Sequence, residues 1–299
     1  SLLPKCYDRE KVTLMVNLEP CCHFNKRTPP CAQHLIREGV KRVIVGCLDP
    51  NPDVNGKGVE LLISSGIEVI CGILKQDCEK LNKIFFKNVR KSVPYFHGKV
   101  ACSLDGKIAL NSGESKWITS QGSRERTHDL RSFYDAILVG SNTFIKDLPN
   151  LNTRLGERVI KENKKIIIGD FNKLADFLPE KKKEFFIIIS KTHDQSKVGI
   201  DKINGFVIVY YHTHLSETFP LLMKLNVFSI FVEGGAKVMS YFLDNKLLDE
   251  LSIFKAPKII GKGLNFTTGF EIKSLMDSIV IENPTYEIID NDIYMQGYL

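Results

Sequence analysis

Residues 17–31 read Asn-Leu-Glu-Pro-Cys-Cys-His-Phe-Asn-Lys-Arg-Thr-Pro-Pro-Cys, and this stretch decides the fold of the first part of the chain. An apolar run of strand length, 14–18, leads into it, and a run with helical spacing, 32–38, follows it. Its three prolines would stiffen the loop between these runs. A strand, a stiff loop that carries cysteines and then a helix predict an α/β domain.

Cys21 and Cys31 on this loop are candidate zinc ligands. In zinc deaminases two thiolates and one histidine hold Zn²⁺, and a glutamate close to that histidine transfers protons. Nine residues separate the two cysteines here, which is wider than the usual Pro-Cys-x-x-Cys spacing. A cysteine-rich turn with buried thiols therefore stays open as an alternative. No His-x-Glu pair precedes the strand, so the predicted zinc site lacks one ligand and its acid–base group.

The size and composition of the chain are those of a globular protein with two domains or one large one, with 299 residues, 43% apolar and 25% charged. The net charge is +6, but no basic block is interleaved with aromatic residues, which argues against a nucleic-acid partner. A small positive excess suits an enzyme that binds phosphorylated small molecules. No run approaches a membrane span, and the first residues show no signal-peptide pattern. We therefore expect a cytoplasmic enzyme with no membrane partner, whose eight cysteines are reduced thiols or metal ligands.

Strand-like and helix-like runs alternate along the chain, which is typical of an α/β architecture. Pro94 begins a new pattern, and we place the boundary there, with one domain over 1–93 and a second over 94–299. The predicted strands are 14–18, 42–47, 68–72, 98–102, 136–140, 166–169, 185–190, 206–211 and 229–233. The predicted helices are 32–39, 58–65, 77–89, 121–133, 220–225 and 236–243.

Three runs in the second domain are candidate binding loops. Residues 99–107, Lys-Val-Ala-Cys-Ser-Leu-Asp-Gly-Lys, read as a strand that ends in a polar turn, and 112–119, Ser-Gly-Glu-Ser-Lys-Trp-Ile-Thr, as a loop with hydroxyls and an aromatic ring. Such loops at the carboxyl ends of strands bind cofactors in α/β folds, although Trp117 could instead be an anchor in the core. Residues 232–236, Val-Glu-Gly-Gly-Ala, place two glycines before a helix, where backbone N–H groups can approach a phosphate. No ordinary dinucleotide fingerprint occurs, so glycine motifs alone do not identify a nicotinamide cofactor.

The first domain resembles the deaminase domain of the bifunctional deaminase–reductase family of riboflavin biosynthesis, which has a cytidine-deaminase-like fold. The resemblance is carried by Leu-Glu-Pro-Cys-x-His, Arg-Thr-Pro-Pro-Cys-Ala, Gly-Val-Lys-Arg-Val-Ile-Val-Gly and Asp-Pro-Asn-Pro-x-Val-x-Gly-Lys-Gly. It implies that Cys21 and Cys31 ligate Zn²⁺. It also implies that His23 and the loop 26–28 lie near a substrate pyrimidine and its phosphate.

Two departures from the family concern the zinc site. The loop between the cysteines is one residue longer than usual, and the His-Ala-Glu segment is absent together with the first strands and helices of the domain. Three explanations stay open: the chain is a fragment of a longer polypeptide, the deaminase domain has decayed, or another residue completes the site. Cys22 or His23 could supply a third ligand, but neither replaces the missing glutamate.

The second domain resembles the reductase of the same family, which has a dihydrofolate-reductase-like fold and uses NADPH. The matching runs are Lys-x-Ala-x-Ser-Leu-Asp-Gly, Ser-Gly-Glu-Ser-x-Trp-Ile-Thr, Asp-Ala-Ile-Leu-Val-Gly and Val-Glu-Gly-Gly. By position, the implied cofactor contacts are Ala101, Trp117, Thr143, Asp147 and Gly235. The implied substrate contacts are Ser115, Arg131, Leu151, Arg154 and Glu233, with His23 in the first domain. The family often has Asp-Asp-Pro or Asp-Asn-Pro where this chain has Asp-Leu-Pro at 147–149, and Asp147 is retained.

The resemblance implies a reaction, the NADPH-dependent reduction of 5-amino-6-(5-phosphoribosylamino)uracil to the ribitylamino phosphate. Hydride would reach C1′ of the opened ribose, and one proton transfer would assist it. The titratable candidates for that transfer are Lys99, Asp105 and Glu233, or water. Arg131 and Arg154 suit a ribose 5-phosphate because guanidinium forks match phosphate oxygens.

Other functions stay open beside this one. The parent protein could be a complete deaminase–reductase, the deaminase remnant could act only as an oligomerisation surface, or the chain could be a regulator that binds the cofactor. The resemblance also implies a homo-oligomer.

Overall fold

The computed structural model describes residues 12–24, 28–179, 182–269 and 271–299. The chain divides into two compact units between Ser92 and Val93, beside the boundary that we place at Pro94. None of the helices in the described ranges has the length and apolar character needed to cross a membrane.

The first unit is a small parallel sheet with helices. Its elements are β1 (Thr13–Leu18), α1 (Cys31–Arg37), β2 (Arg42–Cys47), α2 (Lys57–Ser64), β3 (Glu68–Cys71), α3 (Lys75–Leu81) and α4 (Lys83–Lys91). The three strands are parallel in the order β1-β2-β3. Val43 and Val45 of β2, Ala32 of α1 and Leu62 of α2 form the centre of its core.

The helix predicted over 77–89 is wrong in one respect, because the structure has two helices there. Asn82 lies between α3 and α4, and its side-chain amide donates a hydrogen bond to the Cys78 carbonyl oxygen at 2.8 Å. An asparagine side chain that bonds to nearby backbone competes with the helical pattern and ends the helix.

The second unit begins at Val93 and holds most of the chain. Its strands are β4 (Tyr95–Ser103), β5 (Lys107–Leu110), β6 (Ala136–Gly140), β7 (Thr153–Leu155), β8 (Arg158–Lys161), β9 (Lys164–Ile168), β10 (Phe186–Lys191), β11 (Gly199–Ile203), β12 (Phe206–Tyr211), β13 (Ser229–Val232), β14 (Glu250–Ala256), β15 (Gly263–Asn265), β16 (Glu282–Ile289) and β17 (Asp292–Tyr298). Its α-helices are α5 (Gln121–Ser132), α6 (Ser141–Asp147), α7 (Phe171–Leu174), α8 (Phe219–Lys224) and α9 (Ala236–Asp244).

A ten-stranded sheet in the order β11-β12-β10-β9-β6-β13-β4-β14-β17-β16 organises this unit. Its central strands, from β12 to β14, are all parallel, and antiparallel strands close both edges. Neighbouring residues of a central strand enter cores on opposite faces, as Leu138 and Ile137 of β6 do. Helices on both faces explain why strands such as β6 and β10 are nearly continuous apolar runs in the sequence.

Among the described residues of the second unit, the sequence does not predict eight strands, which are β5, β7, β8, β11, β14, β15, β16 and β17. β14 carries Glu250 and Ser252 at buried positions, where they bond to Tyr95 and His97. Almost every residue of β16 is exposed, since it is the edge strand. Neither pattern shows the apolar alternation or the apolar run by which strands are recognised in a sequence.

Candidate active site in the second unit

A cavity of about 270 Å³ lies in the second unit, at the carboxyl-terminal halves of β4 and β13. Its lining is Lys99, Val100 and Ala101 of β4, Ile108 of β5, the loop 115–119, Arg124 of α5, Glu233 and Gly234 after β13, and Phe266. A ligand site at this end of parallel strands is the rule in open α/β sheets. The predicted residues Lys99, Ala101, Ser115, Trp117 and Glu233 therefore share one cavity.

An ion pair between Arg131 and Glu233 stands beside the cavity. Arg131 Nε donates to Glu233 Oε1 at 2.5 Å and Nη2 to Oε2 at 2.9 Å, while Nη1 donates to the Asn152 carbonyl oxygen at 2.9 Å. Each of the paired side chains is only 13% exposed. Burial by itself would raise the pKa of Glu233, but the charge and hydrogen bonds of Arg131 outweigh it and hold that pKa below its usual value. Glu233 is thus a carboxylate at neutral pH.

Lys99 is the cationic partner of Glu233 inside the cavity. The register of β4 and β13 pairs Val232 with Gly98, so Glu233 follows on beside Lys99. Burial lowers the pKa of Lys99, and the charge of Glu233 partly opposes that shift. A lysine whose pKa is lowered in this way gives up its proton more readily than a free lysine.

The wall of the cavity carries Trp117, which is 64% exposed, so the alternative of a core anchor is wrong. The guanidinium of Arg124 lies over its indole ring at 4.5 Å from the centroid. Lys258 Nζ donates to the Trp117 carbonyl oxygen at 3.0 Å. Arg124 therefore covers one face of the indole ring, and the exposed part of the ring is available to a planar ligand.

Intrinsic fluorescence is expected to report binding at this wall, because Trp117 is the chain's single tryptophan. Titration with NADPH should quench Trp117 emission in a saturable way. The Trp117→Phe variant provides the blank. Quenching that stays linear in NADPH concentration would show that the indole does not face the cofactor.

The N-terminus of α5 is held by hydrogen bonds to the turn between β16 and β17. Asp292 Oδ2 accepts hydrogen bonds from the Ser120 N–H at 2.7 Å and the Ser123 hydroxyl at 2.6 Å. Asp290 Oδ2 accepts a third, from the Gly122 N–H at 2.9 Å. Carboxylates at a helix N-terminus satisfy its free N–H groups and stabilise its dipole.

Two helix N-termini lie close together and suit a phosphate group. α6 follows β6, α9 follows the neighbouring β13, and neither has a side-chain cap. A Cβ on Gly235 would lie 3.2 Å from Thr143 Oγ1, and one on Gly234 would lie 2.4 Å from the Val238 Cβ. The glycines therefore allow a close approach of backbone at this point. Asp147, at the end of α6, lies 4.0 Å from Lys116 Nζ.

The structure places Asp105 outside the cavity lining. Its carboxylate accepts hydrogen bonds from the Ser103 hydroxyl at 2.6 Å and from the N–H groups of Ile260 at 3.1 Å and Gly261 at 2.8 Å. These bonds lower the pKa of Asp105 to about 2. It anchors the loop that carries Lys258, and at neutral pH it holds no proton to give.

Two of the predicted substrate residues differ in how they can reach a ligand. Leu151 is 2% exposed and packs in a core cluster with φ +46°, so only its backbone can serve a ligand. Arg154 lies on β7, and its N–H donates to His128 Nδ1 at 3.2 Å.

The sequence analysis does not single out His128 and Arg124 as site residues. Their spacing to Arg131 on the predicted helix 121–133 places all three residues on one face of it, and that spacing is the signal that could have found them.

The cysteine loop of the first unit is built around Glu19. This carboxylate is 3% exposed and accepts hydrogen bonds from the N–H groups of Asp49, Gly56, Gly58 and Val59. The Cys31 N–H donates to Cys21 Sγ at 3.4 Å, which brings the two predicted zinc ligands together.

The residues that could hold zinc do not make a complete site. Across 12–24, 28–179, 182–269 and 271–299, no three His, Cys, Asp or Glu side chains are grouped so that they could hold a metal ion. His23 lies near enough to Asp49 for their charges to interact. Of the predicted loop 26–28, Lys26 and Arg27 lie outside the described residues.

Comparison with known proteins identifies the family. The model of the RibD C-terminal domain matches residues 94–286. The riboflavin biosynthesis protein RibD of Aquifex aeolicus is 37% identical over 283 residues, which cover 94% of this chain and 79% of that protein. A solved structure of Acinetobacter baumannii RibD has a TM-score of 0.82 at 31% identity and covers 97% of this chain and 81% of its own.

A second solved structure, from Thermotoga maritima, is described as a diaminohydroxyphosphoribosylaminopyrimidine deaminase/5-amino-6-(5-phosphoribosylamino)uracil reductase. It is 33% identical with a TM-score of 0.81, and the match covers 96% of this chain and 79% of that one. The chain therefore belongs to the RibD family of riboflavin biosynthesis proteins and carries that family's C-terminal domain.

Proposed function

We propose that this chain reduces 5-amino-6-(5-phosphoribosylamino)uracil with NADPH to the ribitylamino phosphate. The observation that carries the proposal is the cavity in which Lys99 and Glu233 face an exposed indole, with Arg131 bound to Glu233. The activity named for the Thermotoga maritima relative supports it.

The cofactor site would extend from Trp117 and Ala101 to the paired helix N-termini. Gly235 and Thr143 would hold the diphosphate there through backbone N–H groups and a hydroxyl, and Asp147 would border it. The uncapped helix ends and the glycine close approach fit such a group. NADPH, when bound, supplies the hydride.

The substrate would lie between this wall and α5. Ser115 would hydrogen-bond the sugar, the Leu151 backbone would border it, and Arg154 would bind the phosphate. Glu233, fixed by Arg131, would accept a hydrogen bond from a ribose hydroxyl and keep C1′ in place.

Lys99 would supply the proton. When the ribose opens, its C1′–O bond would break, the released ring oxygen would take one proton, and C1′ would form an iminium double bond with the nitrogen, which keeps its N–H. Hydride added to C1′ would then give the neutral amine. Lys99 lines the cavity, and the charge of Glu233 stabilises its protonated form. Solvent restores the proton, so the reaction consumes one proton for each hydride.

Substrate-dependent loss of NADPH absorbance tests the proposal. Purified chain is expected to consume one NADPH for each ribitylamino product, and replacement of the ribosylamino substrate by the product serves as the blank. Absence of substrate-dependent oxidation would overturn the assignment.

We further propose that residues 1–93 form a partial deaminase-like domain to which Cys21 and Cys31 contribute as zinc ligands. The family motifs and the short distance between these residues support this. Among the described residues no third ligand is grouped with these two thiols, and two thiols alone hold zinc weakly. Protein purified without added metal is therefore expected to contain well below one zinc per chain by elemental analysis.

The matched control for that measurement is Cys21→Ser/Cys31→Ser. The double variant is expected to keep full reductase activity. One zinc per chain in the wild type that disappears in the double variant would instead show a complete site and justify deaminase assays.

The family resemblance also leads us to propose a homo-oligomer. Sedimentation velocity of the purified chain tests this. A single species with the mass of one chain, 33.9 kDa, at all concentrations would contradict it.

A further inference from the structure

The loop 112–119, which supplies one wall of the cavity, contains no helix or strand. Its conformation therefore depends on contacts with other elements of the second unit. Three of its backbone oxygens accept hydrogen bonds from cationic side chains. These donors are Lys146 of α6, Arg124 of α5 and Lys258, which lies between β14 and β15.

Lys258 acts at the residue that would face the cofactor. Its Nζ donates to the Trp117 carbonyl oxygen at 3.0 Å, whereas the other two cationic side chains bind the two ends of the loop. Trp117 lines the cavity, and Lys258 is not one of the lining residues. The contact by which Lys258 can influence a bound ligand is therefore the one with the Trp117 backbone.

The backbone of Lys258 is fixed, although the residue is exposed. An exposed lysine loses rotamer entropy when its side chain is held in one place, so its contact persists only where its backbone is well positioned. Here the Leu104 N–H donates to the Lys258 carbonyl oxygen at 2.7 Å. The Asp105 carboxylate accepts from the N–H groups of Ile260 at 3.1 Å and Gly261 at 2.8 Å. The turn after β4 therefore holds the segment that carries Lys258.

We propose that Lys258 is a positioning residue that holds the Trp117 wall of the cavity in the conformation that binds NADPH, and that Asp105 keeps Lys258 in place for it. The identity of the cofactor rests on the proposed function. Asp105 thereby serves the cofactor wall through a loop about 155 residues later in the sequence, and not as a proton donor. Because Lys258 does not line the cavity, its loss should weaken cofactor binding far more than it slows hydride transfer.

The variants are chosen to separate the Lys258 contact from its charge. Lys258→Met removes the donor, whereas Lys258→Arg keeps both a donor and the positive charge. Lys262→Met is the matched control, because it removes the same charge from an exposed position of the same loop. Asp105→Asn replaces one accepting oxygen of the anchor by a donor. Each full-length variant is compared with the wild type by Trp117 fluorescence anisotropy without cofactor, by titration with NADPH and by steady-state kinetics, and urea unfolding checks that it is folded.

Lys258→Met is expected to lower Trp117 anisotropy and to raise both the Kd and the KM for NADPH about fivefold, the size expected for loss of one hydrogen bond. Its kcat should stay within about twofold of the wild type. Lys258→Arg should recover most of the binding, and Lys262→Met should equal the wild type. Asp105→Asn should also weaken NADPH binding, and adding Lys258→Met to it should have little further effect, because both substitutions act on one contact.

Several outcomes would overturn the inference. These are unchanged anisotropy or NADPH affinity in Lys258→Met, an equal loss of affinity in Lys262→Met, no recovery in Lys258→Arg, or a fall in kcat with an unchanged KM for NADPH. A wild type that binds no NADPH would overturn the proposed function. Lower anisotropy in Lys258→Met would even then show that Lys258 positions the Trp117 wall.

Discussion

Arg131→Ala is expected to lower kcat/KM by about a hundredfold or more and to destabilise the fold. The substitution removes the two hydrogen bonds that fix the Glu233 carboxylate, whose side chain is only 13% exposed. Loss of one member of a buried pair costs about 3–5 kcal/mol of folding free energy, and displacement of a positioning group by about 1 Å costs roughly 10²-fold in rate. Without the charge of Arg131 to oppose burial, the pKa of Glu233 would also rise.

The double variant Arg131→Ala/Glu233→Gln separates the two effects. Because the Arg131–Glu233 pair is then removed as a whole, stability in urea should recover part of the loss, whereas turnover should not. Arg131→Lys should recover little activity because an ammonium group cannot form the two parallel hydrogen bonds. Turnover by Arg131→Ala within tenfold of the wild type would contradict the role assigned to the pair.

Lys99→Met is expected to reduce kcat by about 10²–10⁴, the usual range for loss of a general acid. The side chain keeps its length, so the cavity and NADPH binding measured by Trp117 fluorescence should be preserved. Lys224→Met, at the exposed end of α8, is the matched control and should behave as the wild type.

The pH profile provides a second test of Lys99. A proton donor is active while protonated, and burial lowers the pKa of Lys99. Wild-type kcat should therefore decline as the pH rises through a value below that of a free lysine. Lys99→Met should lack this alkaline decline, and an unchanged profile in the variant would assign the proton to another group.

Much of the larger sheet could be predicted because burial on both faces leaves a direct record in the sequence. The run at 136–140 is apolar throughout, the run at 229–233 is apolar at its centre, and they correspond to β6 and β13. β14 left no such record, because Ser252 is buried through a hydrogen bond to His97, which lies 155 residues earlier. Partners so distant are visible only after the chain has folded.

The candidate site shows the same limit. Residue types and family motifs brought Lys99, Trp117 and Glu233 to one cavity, as the structure has them. They could not show which arginine forms the ion pair with Glu233, because Arg131 and Glu233 are 102 positions apart in the sequence. They also could not show what Asp105 does, because its carboxylate accepts a hydrogen bond from the Ile260 N–H, 155 positions later.

The carboxylates that hold the first turn of α5 make the site depend on residues far away in the sequence. Lys99, Trp117, Arg131 and Glu233 all precede residue 290, yet the helix that carries Arg131 receives its terminal hydrogen bonds from Asp290 and Asp292, up to 172 residues later. Assembly of the site is therefore a non-local event, because the long segment between α5 and the β16–β17 turn must close before these bonds can form.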